Sequence, residues 1–443
     1  MRAAVSMAGL ALATATCMTA CAPDIKTDPV PAAMQWDPLP PRVPSPSGLI
    51  VNPTTHLIDF SLAGIPLPAD CVAQTAMPQA ACRLDQWLQT LDGYPTTSPA
   101  TAPASAPLDP TTLTLGTNVV VVTGTGVPLS GVQVGFDATS NDLTVAPAAS
   151  WELATTIWLA VRGYDSGVRA LDGSQVVGSP TMSLLKQETP LDCGVTSPAE
   201  LDRSCPAYDL LLSQGMLPVL AQRTVAQLEQ ARQYYLLSGA FDLVAAAGIP
   251  KSEVAVLWGF PTHTSSVAEL SPPALVPQVT GPAQLAVAVH GPVDPATVVP
   301  FIVQKQAGTI VLMDLTAVAL GDLVNGLPPI QAQLSGGSIV ITGATAFPAG
   351  HTIGLFFTNG LKDPSGNPLV ASPVSVLLTL QGALVDAAGH STVSGVADTD
   401  AAMLEAGRQQ LAPLFDNTAL AGLTGINRGD LVYCFAFALG ATP

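Results

Sequence analysis

The chain repeats itself, and any fold proposed for it must be built twice. Gly167 to Pro180 (GVRALDGSQVVGSP) superimposes without a gap on Gly360 to Pro373 (GLKDPSGNPLVASP), with five of fourteen positions identical: Gly167/Gly360, Gly173/Gly366, Val177/Val370, Ser179/Ser372 and Pro180/Pro373. Upstream, Leu108-Asp109-Pro110-Thr111-Thr112-Leu113 echoes Val293-Asp294-Pro295-Ala296-Thr297-Val298. Downstream, Leu228-Glu229-Gln230-Ala231-Arg232 matches Leu404-Glu405-Ala406-Gly407-Arg408, and Val254 to Phe260 (VAVLWGF) matches Leu431 to Phe437 (LVYCFAF). Blocks that recur in one order indicate a duplicated unit.

Within each unit the apolar pattern is mostly that of strands. Val119 to Val122, Ala154 to Val161, Leu285 to Val289, Ile310 to Leu315, Ser338 to Thr342 and Thr352 to Phe357 are short β-branched or aromatic runs bounded by Gly, Pro, Asn or Asp. Their spacing predicts a mainly β chain of two tandem β-sandwich repeats, over 48–265 and 266–443. Asp363-Pro364-Ser365-Gly366-Asn367-Pro368 reads as a chain reversal, with Gly366, like Gly173 in the first copy, free to take positive φ and Asn367 supporting the turn. A calcium loop would want acidic oxygens at alternate positions, and this segment has one Asp.

Each unit then changes character. Thr224 to Ala247 sets Val225, Leu228, Tyr235, Phe241, Leu243 and Val244 in a rough helical stripe stopped by Gly248, and the second copy carries Met403, Leu404, Leu411, Leu414 and Phe415 after Asp398-Thr399-Asp400. Each repeat is therefore expected to hold a helical insertion packed on its own sandwich. Cys434 aligns with Leu257, which marks it as a small apolar core site and not a nucleophile.

Charge limits the partners. The chain carries 32 acidic against 15 basic residues, a formal net charge of −17, with no Lys/Arg cluster, so favourable phosphate contacts are hard to make and nucleic acid is excluded as a partner. Charged residues are 11% of the total, well under the usual ~25%, which argues against a long-helix bundle.

A single basic residue, Arg2, precedes an uncharged run to Cys21, the layout of a secretory signal over residues 1–20. Met18-Thr19-Ala20-Cys21 resembles the lipobox of bacterial lipoproteins, in which the cysteine is acylated and becomes the new amino terminus. By that resemblance Cys21 is the lipidation site, membrane contact runs through an N-terminal lipid anchor, and Ala22 after it favours the outer membrane; cleavage by the general signal peptidase, giving a secreted or periplasmic chain, is the alternative. Residues 21–47 include eight prolines and read as a Pro-rich tether. Secretion makes Cys71/Cys82 and Cys193/Cys205 natural disulfides, other pairings being open to arithmetic, while the spacing of these cysteines and the absence of nearby histidines give no metal site.

Thr352 to Pro368 (TIGLFFTNGLKDPSGNP), after the Val-Asp-Pro-Ala-Thr block at 293–297, resembles the Ig-like domain type of bacterial surface-layer proteins often called SbsA-type. The resemblance implies Ig-like β-sandwiches and no chemistry. Pro44-Ser45-Pro46-Ser47-Gly48-Leu49, Leu91-Asp92-Gly93-Tyr94-Pro95-Thr96-Thr97 and Leu108-Asp109-Pro110, behind a lipobox, are similar to the amino-terminal module of bacterial virulence-factor lipases, whose catalytic domain is a separate, later α/β-hydrolase unit.

No serine stands in Gly-x-Ser-x-Gly, the sequence of a nucleophile elbow; Gly336-Gly337-Ser338 comes nearest and runs into a strand. The five histidines, His56, His263, His290, His351 and His390, form no His-Glu-x-x-His array. His390-Ser391 and Asp386 lie close in sequence, but a triad is assembled in space. Gly124-Thr125-Gly126 lacks the third glycine of a nucleotide site. No catalytic residue and no cofactor is expected. The chain reads as a non-catalytic cell-envelope lipoprotein that binds or scaffolds a protein, lipid or glycan. A hydrolase, or an accessory subunit of one, is the alternative from the enzyme class, and a purely structural envelope protein is a third reading.

Overall fold

Val119 to Val122 and Val254 to Phe260 are buried at every position, not at every second one. A strand with that pattern must be covered on both faces. The computed structural model describes residues 30–438 apart from 39–40, 64, 73–76, 196, 265–266, 269–273, 277–283, 303–307, 320, 323–324, 345–349, 394–395, 416–423 and 425–426. The signal segment, Cys17 and Cys21 lie outside these residues.

The first repeat runs β1 (Ala32–Met34), α1 (Gln79–Leu88), β2 (Ala100–Pro103), β3 (Val119–Thr123), β4 (Val132–Asp137), β5 (Asp142–Pro147), β6 (Thr156–Arg162) and β7 (Val176–Gly178). It continues through α2 (Pro180–Leu185), α3 (Pro206–Ser213), α4 (Pro218–Leu237), α5 (Ala240–Ala246) and β8 (Val254–Pro261). The second runs β9 (Gln284–His290), β10 (Ile310–Asp314), α6 (Leu315–Ala319), β11 (Ile330–Ser335), β12 (Ser338–Gly343), β13 (Thr352–Thr358), α7 (Pro373–Thr379), α8 (Asp398–Phe415) and β14 (Leu431–Ala438).

Both repeats use one topology. A central antiparallel sheet has the order β8-β6-β3 in the first and β14-β13-β10 in the second, and a second antiparallel sheet has the order β2-β5-β4 or β9-β12-β11. The central rows align Val121 with Leu159 and Leu159 with Trp258, and correspondingly Leu312 with Leu355 and Leu355 with Phe435. In the second repeat one face of the central sheet (Ile310, Leu312, Ile353, Leu355, Phe357, Tyr433) packs with Leu285, Val287, Ile339 and Ile341 of the outer sheet. Its other face (Val311, Met313, Phe356, Cys434) packs with Leu378 of α7 and Leu411 of α8. The outer strands, open to water on one side, keep the alternating burial of period 2.

This arrangement corrects the expected fold class. Among the described residues helix and strand take nearly equal shares, 30% and 28%, so the fold is mixed. It is β-rich, in several small sheets, and the helical segments are not insertions hung on a two-layer Ig-like sandwich. They form a third layer that covers the inner face of each central sheet, which is why the runs in β3, β8 and β10 lose their alternation. In the first repeat Trp158 of β6 lies against Tyr234 and Tyr235 of α4, ring centroids 5.4 and 5.9 Å away. The stripe over 224–247 is two helices, broken where Gly239 takes φ +63° and stopped where Gly248 takes φ +106°. The Ser-Pro pair shared by the copies proves to be a helix start. Ser179 and Ser372 cap α2 and α7 by accepting from the backbone N–H of Met182 and Ser375, each at 3.2 Å, with Pro180 and Pro373 in the first turn.

Residues 30–38 and 41–47 do not form a tether. Within them β1 pairs in parallel with β7, Met34 and Trp36 are buried in the first core, and the Trp36 indole N–H donates to Tyr235 Oη at 3.1 Å, which in turn donates to Leu257 O at 3.0 Å. Pro44 and Pro46 are buried as well. One helix crosses the expected boundary between repeats: α1 packs on α7, and its Ala80, Leu84 and Trp87 join the second core.

Candidate functional site

Polar clusters repeat as faithfully as the strands. Glu229 Oε2 accepts from Leu191 N at 2.8 Å while Arg232 donates Nε to Oε2 at 2.8 Å and Nη2 to Oε1 at 2.7 Å, and Gln233 adds a bond at 2.9 Å. In the second copy Glu405 accepts from Leu384 N at 2.9 Å, Arg408 donates at 2.8 and 2.6 Å, and Gln409 donates at 2.8 Å. Arg408 pulls the Glu405 carboxyl down to about 2 against the opposing effect of burial, helped by the Leu384 amide. Burial pushes Glu229 upward, but its bonds to Arg232 and Leu191 hold it below the ordinary value. These are anchors for the loop that follows α2 in the first copy and α7 in the second.

The turns behave alike. Asp109 and Asp294 each accept a backbone N–H two residues on, from Thr111 and Ala296 at 2.9 Å. Each takes its own amide bond to a carbonyl, Arg169 O or Lys362 O, at 2.9 Å. Gly173 and Gly366 take φ +83° and +86°. Asp363 Oδ1 accepts from Ser365 N and Asn367 N at 2.9 and 2.8 Å, and Asn367 Nδ2 donates to Asp363 Oδ2 at 3.1 Å. Burial works against it, but these bonds hold the Asp363 carboxyl below the usual range. Asp386-Ala387-Ala388-Gly389-His390 repeats the device, with Gly389 at φ +88° and Asp386 Oδ1 accepting from Ala388 N and His390 N.

That placement separates the His390, Ser391 and Asp386 group. His390 Nδ1 lies 3.0 Å from Asp398 Oδ2, not on Asp386, and the Ser391 hydroxyl donates to Val393 O at 2.9 Å, not to the imidazole. Asp398, which also accepts from Ser391 N at 2.7 Å, ties this loop to the first turn of α8. His351 pairs with Asp314 at 2.6 Å, where Asp314 also accepts from Thr316 N and Ala317 N at the start of α6. His56 sits in an exposed turn at φ +60°. His290 contacts Ser150 Oγ at 2.9 Å and Trp151 O at 3.0 Å, tying β9 to the first repeat. His263 is fully buried with no hydrogen-bond partner on either ring nitrogen, and burial pushes it down to about 4, Asp92 pulling it up and His290 pushing it further down.

Cys71 is bonded to Cys82 and Cys193 to Cys205, with Cα separations of 5.7 and 5.8 Å. Cys434 is wholly buried, and burial pushes its thiol up to about 12. Among the described residues no group of three His, Cys, Asp or Glu could hold a metal ion, and no helix is long and apolar enough to cross a membrane.

The remaining candidate is a polar cleft of about 410 Å³ where β1, the start of α2 and the β4–β5 turn meet, lined by Gln35, Asp37, Arg42, Ser105, Asn141 and Gln214. Gln35 Oε1 and Asn141 Oδ1 are buried without a hydrogen-bond partner. Asp37 accepts from Thr181 Oγ1 at 2.9 Å, and Ser105 Oγ accepts from Ala33 N at 2.8 Å. Next to the turn, burial raises the Asp142 carboxyl, Ser140 and the charge of Arg42 pulling the other way. Sequence reading missed this site because half of it stands on the segment taken as tether. The available sign was Asn141, a residue that tolerates left-handed backbone, in a hairpin whose counterpart is Gly336-Gly337.

No family model and no curated protein matches the chain. Among solved structures, the S-layer protein rSbsC aligns at 18% identity over 38% of this chain and 20% of its own, with a TM-score of 0.19. The N-terminal part of the bacterial S-layer protein SbsC aligns at 16% identity over 38% of this chain and 34% of its own, with a TM-score of 0.17. The chain thus spans a fifth to a third of those structures, and scores this low carry no argument about shared topology.

Proposed function

We propose that the chain is a non-catalytic lipoprotein of the bacterial cell envelope, held at the outer membrane or cell surface by acylated Cys21, that binds or scaffolds a partner through its tandem repeats. One observation carries the non-catalytic part. Five polar side chains singled out by the repeat and by their spacing are taken up in holding backbone: Glu405 and Glu229 in loop anchors, Asp363 and Asp386 in turns, and Ser391 on a carbonyl. The lipobox-like Met18-Thr19-Ala20-Cys21 and two disulfides support an extracytoplasmic location. A net charge of −17 speaks against nucleic acid as the partner.

The test pairs intact mass and membrane fractionation with turnover. The native chain should carry acyl mass on Cys21 and sediment with membranes, and Cys21→Ser should lose both. Purified body should hydrolyse neither esters nor glycosides. Turnover abolished by one Ser or Asp substitution, or an unmodified soluble mature chain, would overturn the reading.

A further inference from the structure

The second repeat shows what the cleft of the first contains beyond the needs of folding. Asn141 and Gly337 fill one position of the duplicated hairpin, since Ala104 N donates to Asn141 O and Val289 N to Gly337 O, both at 2.9 Å. Both are left-handed, at φ +59° and +77°. Glycine takes that conformation without strain, and an asparagine there normally repays it by a local side-chain bond. Asn141 Oδ1 makes none, although it is buried, and Gln35 Oε1 of the same cleft is equally unpartnered. A buried carbonyl left without a donor has given up its bond to water with nothing in return. Two in one cleft are acceptors waiting for donors.

The cleft also presents one carboxylate, Asp37, and one guanidinium, Arg42, so it asks for no net charge in what enters. Ser105, whose oxygen already accepts from Ala33 N, retains its proton to donate. Its volume falls within the roughly 300–1,000 Å³ of small-ligand sites, and its polar walls suit neither an acyl chain nor an aromatic drug-like ligand. We propose that this cleft binds an uncharged polyhydroxylated ligand, a saccharide, whose hydroxyls donate to Gln35 Oε1 and Asn141 Oδ1 and accept from Arg42 and Ser105. This rests on the surface-binding reading above and supplies its ligand class.

The test titrates the mature protein with maltose, cellobiose and N,N′-diacetylchitobiose, with spermidine and glucose 6-phosphate as charged comparators, read by calorimetry and tryptophan fluorescence. At least one neutral disaccharide should bind saturably and the charged compounds should not. Gln35→Met and Asn141→Gly should each weaken binding about tenfold, the loss of one hydrogen bond, with melting temperature unchanged or raised. A silent disaccharide panel, binding of the charged compounds alone, or variants that bind as the parent does would overturn the site. Failure here leaves membrane attachment, read separately by fractionation, standing; a soluble chain that binds sugar overturns the envelope reading and not the cleft.

Discussion

Arg408 closes a two-bond fork on Glu405 from one helical turn away, Nε to Oε2 at 2.8 Å and Nη2 to Oε1 at 2.6 Å, as Arg232 does on Glu229 at 2.8 and 2.7 Å. The four side chains are nearly buried, at 12% and 8% exposure in the second copy and 6% each in the first. The fork fixes α4 and α8 to the loops that follow α2 and α7.

Arg408→Ala should therefore destabilise the protein by about 3–5 kcal/mol, because it strands a buried carboxylate. Glu405 is held near 2 in the fold against 4.5 unfolded, so its contribution is complete above pH 4.5 and is lost as pH falls from 4.5 towards 2. Glu405→Gln should flatten that acid limb in melting temperature against pH; an unchanged limb would assign it to other carboxylates.

His263 acts over a different window. Its folded value of about 4 lies below the ordinary 6.5, so the unfolded chain binds the extra proton between those values. Stability should be level above pH 6.5 and fall by up to about 3 kcal/mol as pH drops towards 4. His263→Leu should remove that slope in denaturant midpoints measured from pH 7 to 4.5.

Gly366 takes φ +86° with open space where a Cβ would stand, so its cost on substitution is conformational and not steric. Gly366→Ala should lose about 1 kcal/mol, and Gly173→Ala a similar amount. Equal melting temperatures for parent and variants would refute the strain.

Cys434 should not react with a thiol reagent in the folded protein and should react fully in denaturant, since its thiol is buried and held near 12. Labelling at native pH would show that β14 opens.

Non-reducing peptide mapping should recover Cys71 with Cys82 and Cys193 with Cys205. Replacing either pair should cost about 3 kcal/mol, the loop entropy of closures 11 and 12 residues long. Free thiols at these positions in secreted protein would contradict the pairing.

The duplication was legible from the sequence because turn and cap residues are short-range: Asp109 and Asp294, Gly173 and Gly366, and Ser179 and Ser372 act within a few positions of themselves. The layering was not. A strand such as Val119–Thr123 looks the same whether its second face meets a sheet or a helix, so the helices read as insertions. The N-terminal pairing was invisible for a different reason. A strand of three residues, Ala32–Met34, has no period to detect, and prolines beside it suggest a spacer whether they are solvated or, like Pro44 and Pro46, buried. Gln35 and Asn141 are single polar residues whose meaning appears only once two distant segments meet.

The pairing of β1 with β7 sets a radius. Ten residues separate Cys21 from Ala32, and an extended chain covers at most ~3.3–3.6 Å per residue, so the proposed acyl group on Cys21 would hold β1 within about 40 Å of the lipid. Such an anchor would be a short leash fastened to the first repeat, and the cleft at Gln35 and Asp37, a few residues beyond the fastening, would sample only what lies close to the membrane surface.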